Sequence, residues 1–121
     1  KTGILNAHMG PLPEFRGMNV MEWSLYYRRD IGVTLHFIDK GIDTGDILFF
    51  KTISVESGDT IEDLRNKSGI FNIELFYSAI KCISENKLRR TRQLKGEGKQ
   101  YFVMHQRLRS IVENRLSHSL I

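Results

Sequence analysis

A chain of 121 residues, 40% hydrophobic and 26% charged with a net charge of +4, is long enough for one hydrophobic core and too short for two domains of ordinary size. It has no apolar run near the roughly 20 residues that cross a bilayer, and no charged-then-apolar segment opens it. Its single cysteine, Cys82, excludes a disulfide framework and a thiolate metal site and points to a reducing, cytoplasmic location. The charge is divided: residues 1–86 carry −3 and residues 87–121 carry +7.

The run Gly3-Ile4-Leu5-Asn6-Ala7-His8 reads as a strand. The chain enters it almost directly from Lys1, whereas an intact domain normally starts with a surface segment, so the expectation is a fragment. Two prolines and two glycines in Gly10-Pro11-Leu12-Pro13-Glu14-Phe15-Arg16-Gly17 make a built turn. Asn19 is placed to cap a helix over 20–29, with Glu22 reaching back to it and Val20, Trp23 and Tyr27 along one side. After Gly32, residues 33–38 and 46–53 are β-branched and apolar and read as strands. The connection over residues 39–45 is too short for a crossover helix, so the two strands should pair antiparallel.

Thr60 should cap a long helix with Asp63 at the capping-box position, and Ile61, Leu64, Phe71, Leu75, Ala79 and Ile83 follow roughly helical spacing, with Ser68-Gly69 a candidate kink. Lys87, Arg89, Arg90, Arg92 and Lys95 then crowd a basic connector. Such a segment is either a solvated, mobile link or a surface able to neutralise phosphates. Because the aromatic interleaving of a single-strand platform is missing, nucleic acid is not the expected partner. Tyr101 to Met104 forms a short apolar piece. Leu108, Ile111, Val112 and Leu116 mark a final amphipathic helix, expected to pack on its own domain rather than on a membrane.

The chemistry-bearing residues are Asn6, His8 and Asp43. Alternation along a strand places Asn6 and His8 on one side, and Asp43 lies in the glycine-bounded loop Gly41-Ile42-Asp43-Thr44-Gly45. Taken singly, each has a plain structural role: a hydrogen-bonding histidine at a strand end, an amide satisfying the next turn, a turn aspartate in the left-handed region. His36, at the same parity as Thr34, is by default a half-buried packing residue. A metal-dependent hydrolytic site built from His8, His36 and Asp43 is a second possibility, without compact His-x-x-x-His spacing. A third is a catalytically silent chain that binds a partner or RNA through its basic tail.

Four ordered segments, Asn6-x-His8, Leu12-Pro13-x-x-Arg16-Gly17, Gly32-Val33-Thr34-x-His36 and Ile42-Asp43-Thr44-Gly45-Asp46-Ile47, resemble the folate-dependent formyltransferases. That family includes the glycinamide ribonucleotide, methionyl-tRNA and sugar N-formyltransferases. The resemblance spans about residues 3–87, and it departs from the family at Gly10 and Pro11, where Ser-Leu is usual. It implies an α/β fold: the C-terminal portion of a formyltransferase-type mixed sheet flanked by helices, including an antiparallel strand pair. Residues 1–87 would be the C-terminal part of a catalytic domain, and residues 88–121 the basic connector and amphipathic helix.

The implied activity is transfer of a formyl group from 10-formyltetrahydrofolate, without a metal, to a primary amine of a small molecule of the amino-sugar or glycinamide ribonucleotide type. Methionyl-tRNA is the alternative acceptor. Asn19-x-x-Glu22 leans toward the glycinamide ribonucleotide branch, and residues 99–105 toward sugar-modifying relatives. In this reading Asn6 and a protonated His8 stabilise the developing oxyanion, and Asp43 favours the imidazolium and moves the amine's proton through a water. Asp39, Lys40, Gly41, Ile42 and Asp43 bring backbone groups to the folate pterin. His36, Glu74 and Arg16 are the candidate acceptor contacts, although Arg16 could equally shape the turn and Glu74 lie on a solvated helix face. The resemblance also implies a cis bond before Pro13. It further implies that the 121 residues alone are poorly active and leave a sheet edge open to pairing with another chain.

Overall fold

A computed structural model describes residues 3–118. Three strands form one antiparallel sheet in the order β1 (Leu5–His8), β3 (Ile31–Phe37), β4 (Ile47–Ile53); a second, parallel pair joins β2 (Phe15–Gly17) to β5 (Lys99–Tyr101). The helices are α1 (Val20–Tyr26), α2 (Ile61–Ser84) and α3 (Gln106–Ser117). The bond between Leu12 and Pro13 is cis.

All seven residues of β3 are buried, as its central position requires. Ile31, Val33 and Leu35 enter the main core with Leu64, Leu75 and Ala79 of α2. The strand starts earlier than residue 33 because Ile31 and Gly32 already pair with Ile53 and Thr52. Gly32 fits there because any side chain would strike the Lys51 carbonyl and the Phe50 ring.

The predicted capping box of α2 is present: the Thr60 hydroxyl accepts the Asp63 N–H (3.1 Å), and Asp63 accepts the Thr60 N–H (2.9 Å). The helix is unbroken through Ser68-Gly69, where the Ser68 hydroxyl donates to the Leu64 carbonyl (2.9 Å). Its outer face leaves Ile70, Ile73, Tyr77 and Ile80 exposed.

The expected cap of α1 is not formed. Asn19 adopts a left-handed backbone (φ 50°) with no side-chain bond to the helix, and its Oδ1 accepts the Met104 N–H instead (2.9 Å). Glu22 is buried and paired with Arg65 of α2 rather than reaching back. A tertiary partner has outcompeted the local one. The helix also ends sooner than residue 29, because Arg28 turns to φ 56° and the Arg29 N–H closes on the Ser24 carbonyl (2.8 Å).

The basic segment after α2 is tied to the body. Thr91 forms two backbone bonds with Ile47, both 2.8 Å. β5 lies beside β2, and Met104, Val112 and Leu116 join the main core. α3 packs on α1, with Arg115 donating to the Tyr26 carbonyl (2.8 Å). Among the described residues, no helix is long and apolar enough to cross a membrane.

Candidate active site

The antiparallel register sets Asn6 opposite His36 and His8 opposite Thr34, so β1 and β3 present four polar side chains at adjoining positions. His8, Thr34 and His36 are buried, and each polar atom there needs a partner. The Thr34 hydroxyl donates to the Gly10 carbonyl (2.6 Å) and accepts the Leu12 N–H (3.2 Å), which pins the Pro/Gly turn to the sheet. His36 Nδ1 donates to the Phe37 carbonyl (2.9 Å), leaving Nε2 to accept from Asn6 Nδ2 (3.3 Å). His8 Nε2 donates to the Phe15 carbonyl (2.7 Å), so its other nitrogen turns toward Asp43.

Asp43 reaches this face from the β3–β4 loop in a left-handed conformation (φ 54°), which aspartate tolerates better than most residues. Its Oδ2 accepts the Gly17 N–H (2.9 Å) and lies 3.5 Å from His8 Nδ1, while Oδ1 lies 3.6 Å from His36 Nε2. The carboxylate therefore straddles two imidazoles whose centres are 6.2 Å apart. Asp39 shapes the loop by accepting the Gly41 N–H (2.9 Å) and the Thr44 hydroxyl (2.6 Å). Side chains at Gly41 or Gly45 would collide with Thr44 or with the Phe37 carbonyl.

Burial holds His8 below the ordinary histidine value of 6.5. It outweighs Asp43 and the Phe15 carbonyl, which favour the imidazolium, and His36 adds to the fall. Asp43 thus favours the imidazolium as expected, and burial works against it. For Asp43, burial alone would raise the carboxyl, but His36, His8 and the Gly17 N–H together hold it below 3.8. His8 Nδ1 thus faces the carboxylate of Asp43. Nδ1 and Oδ2 are 3.5 Å apart, close enough to act together on one proton.

Three clefts surround this centre. One of about 290 Å³ is lined by Asn6, His36, Asp39, Gly41 and Asp43, with Ile38 and Ile42 as exposed apolar walls. A smaller one of about 180 Å³ lies on the His8 side, bounded by Glu22 and Arg65. The third, about 410 Å³, shares Asp39 and Thr44 with the first and carries Arg16, Arg92 and Lys95 together with Asp46 and Glu97. Arg16 sits between Phe15 and Gly17, whose backbone groups hold His8 and Asp43, and its Nε is buried without a partner.

The structure thus gathers Asn6, His8, His36 and Asp43. Asp39, Gly41 and Ile42 line the adjoining cleft, while Lys40 is exposed and outside its lining. Glu74 stands apart: it pairs with Lys51 on the exposed side of α2 and lines none of the three clefts. No cluster of three or more His, Cys, Asp or Glu among the described residues is arranged to hold a metal ion. Sequence reasoning quoted Thr34 and Gly17 in the matching segments without giving them these bonds, and it missed the Phe15 carbonyl and Gln93, whose amide donates to the Asp43 and Gly45 carbonyls (3.0 and 2.7 Å). A lone glutamine in a basic stretch carries no periodic or motif signal.

Comparison with known proteins bears on this arrangement. A family model described as Formyl transferase matches residues 1–80. The methionyl-tRNA formyltransferase of Caldanaerobacter subterraneus subsp. tengcongensis is 32% identical over 87 residues, 71% of this chain and 28% of that protein. Its counterpart from Thermodesulfovibrio yellowstonii is 40% identical over 81 residues, 66% and 26%. The crystal structure of the formyltransferase PseJ from Anoxybacillus kamchatkensis, in complex with UDP-4,6-dideoxy-4-formamido-L-AltNAc and tetrahydrofolate, superposes with a TM-score of 0.73 at 30% identity, over 84% of this chain and 53% of that one. The N-formyltransferase of Helicobacter canadensis, with folinic acid and dTDP-3-aminofucose, gives 0.67 at 29% identity, over 81% and 37%. The chain spans about a quarter of the length of the methionyl-tRNA enzymes. With its α/β sheet and most of its length matched, the chain belongs to the formyl transferase family.

Proposed function

We propose that this chain supplies the reacting centre for transfer of a formyl group from 10-formyltetrahydrofolate to the primary amine of a small acceptor bearing an anionic group. The observation that carries the reading is the Asp43 carboxylate held between His8 and His36 with Asn6 alongside. The cosubstrate contributes a formyl group carried on nitrogen. The open cleft of about 290 Å³ fits its flat heterocycle, with Ile38 and Ile42 offering apolar surface and the loop backbone offering hydrogen-bonding groups.

Asn6 gives one amide hydrogen to His36 and keeps the other for negative charge developing on the formyl oxygen. The amine nitrogen bonds to the formyl carbon as the bond from that carbon to the cosubstrate nitrogen breaks. The amine's proton passes to His8 Nδ1 beside Asp43 and from there to the departing nitrogen, His8 being held below its ordinary value and Asp43 below its own. The neighbouring cleft is lined by Arg16, Arg92 and Lys95, which form no ion pair among the described residues. Asp39, Asp46 and Glu97 line it as well, of which Asp39 is engaged within its loop and Asp46 by Arg90. The three cations would be the contacts for a phosphate or diphosphate on the acceptor. The sugar-nucleotide complexes of the related solved structures fit this acceptor class.

The test is transfer of labelled formate from 10-formyltetrahydrofolate to a nucleotide-linked amino sugar, by the 121-residue chain and by any longer protein containing it. Formyl transfer that His8→Ala lowers by at least about a hundredfold supports the reading; transfer unaffected by that change ends it. The methionyl-tRNA relatives favour a second acceptor, aminoacyl-tRNA. Formylation of that substrate alone, with tRNA affinity falling steeply as salt rises, would select it.

A further inference from the structure

The segment following α2 closes over the loop that carries Asp43. Thr91 makes a two-bond bridge to Ile47, where the loop enters β4. Arg90 Nε donates to Asp46 Oδ2 (3.0 Å), and its guanidinium lies 4.0 Å from the centre of the Phe37 ring, at the point where β3 leaves for the loop. Between these anchors and Asp43, Gln93 Nε2 donates to the carbonyls of Asp43 (3.0 Å) and Gly45 (2.7 Å), on either side of Thr44. Residues 39–45 have no strand ladder of their own to satisfy those carbonyls.

The orientation of the Gln93 amide is forced. Two carbonyl oxygens demand its nitrogen, and its own oxygen is left buried without a partner. The Asp43 side chain, by contrast, has one backbone donor, Gly17. Its placement therefore depends on the backbone beneath it, which holds a left-handed conformation at that residue. Gln93 lies beyond residues 1–80, the part matched by the family model.

We infer that Gln93 is a positioning residue: it clamps the Asp43–Gly45 backbone so that the carboxylate stands between His8 and His36. This rests on the formyl-transfer reading. The clamp acts through Asp43 and touches no substrate.

The experiment compares the wild-type protein with Gln93→Met, which keeps the length and removes both donors. Formyl transfer and the titration of His8, followed by nitrogen-15 NMR, are measured together. With the clamp gone, kcat should fall between about ten- and a hundredfold as the carboxylate drifts, with KM for the amine little changed. The His8 titration should move further down, because Asp43 no longer supports the imidazolium. Val112→Ala, a core change remote from the loop, should lower thermal stability and leave the His8 titration where it was. A Gln93→Met protein that is folded, with kcat and the His8 titration at wild-type values, overturns the inference. If that variant does not fold, a crystal structure of the wild-type protein decides: the inference stands with both Gln93 bonds present and falls with either missing. A wild-type protein that formylates no amine sinks the functional reading alone, and the His8 titration still decides whether Gln93 holds Asp43.

Discussion

The two faces of β3 do opposite work with equally buried side chains. Val33 and Leu35 point into an apolar core where the contacts are many and interchangeable; Thr34 and His36 lie on the other face, Thr34 bonded to the turn at Gly10 and Leu12 and His36 to Asn6 and the Phe37 carbonyl. Apolar packing fixes where the strand lies, while the hydrogen bonds on the other face decide what it can do. Burial, which stabilises Leu35, is the same force that drives His8 toward its neutral form.

Substitutions on either side should separate these roles. On the core side, Leu35→Ala should cost about 2–5 kcal/mol in a denaturant titration, while His8 in the folded fraction titrates as before. A loss well under 1 kcal/mol would mean that the core face is not close-packed. On the polar side, His8→Ala should retain a cooperative unfolding transition and lose at least about a hundredfold in formyl transfer. Should that variant fail to fold, the two faces are not separable in the way described.

The pH dependence sharpens the contrast further. Because His8 is held below 6.5 in the folded chain, the acid limb of kcat/KM should lie below pH 6.5, and a limb above that value would contradict the neutral ring. Protonation of this buried ring favours the unfolded chain, where histidine titrates near 6.5. Unfolding free energy should therefore begin to fall as pH drops below 6.5 and continue until the lowered folded value is passed. His8→Gln should flatten that decline, as equilibrium unfolding across the range would reveal. The smallest effect expected is at the start of α2: Thr60→Ala removes the capping box and should lower stability by about 1 kcal/mol without moving the acid limb.

Much of this was legible in the residues. The β-branched and apolar runs gave β3 and β4 with their antiparallel pairing, and Thr60 with Asp63 announced the start of α2. Asn6, His8 and Asp43 could be singled out because an amide, an imidazole and a carboxylate stand at strand ends and in a glycine-bounded loop. Their convergence is the finding of the fold. Asn19 marks where local reasoning failed: its side chain could serve the helix beside it or an N–H 85 residues away, and the distant partner won. Glu74 lies on the solvated helix face that the sequence allowed for it, paired with Lys51.

By itself the sequence determined the main strands and helices, the capping of the long helix and the short set of side chains able to carry chemistry, because propensity, alternation and capping act over a few neighbouring residues; the short pair of β2 and β5 it did not show. Only the tertiary structure decided the downward shift that burial gives His8, the straddling position of Asp43 and the two bonds from Gln93 to its loop. Each of these depends on burial and on partners brought from far along the chain, and neither quantity is written in local spacing.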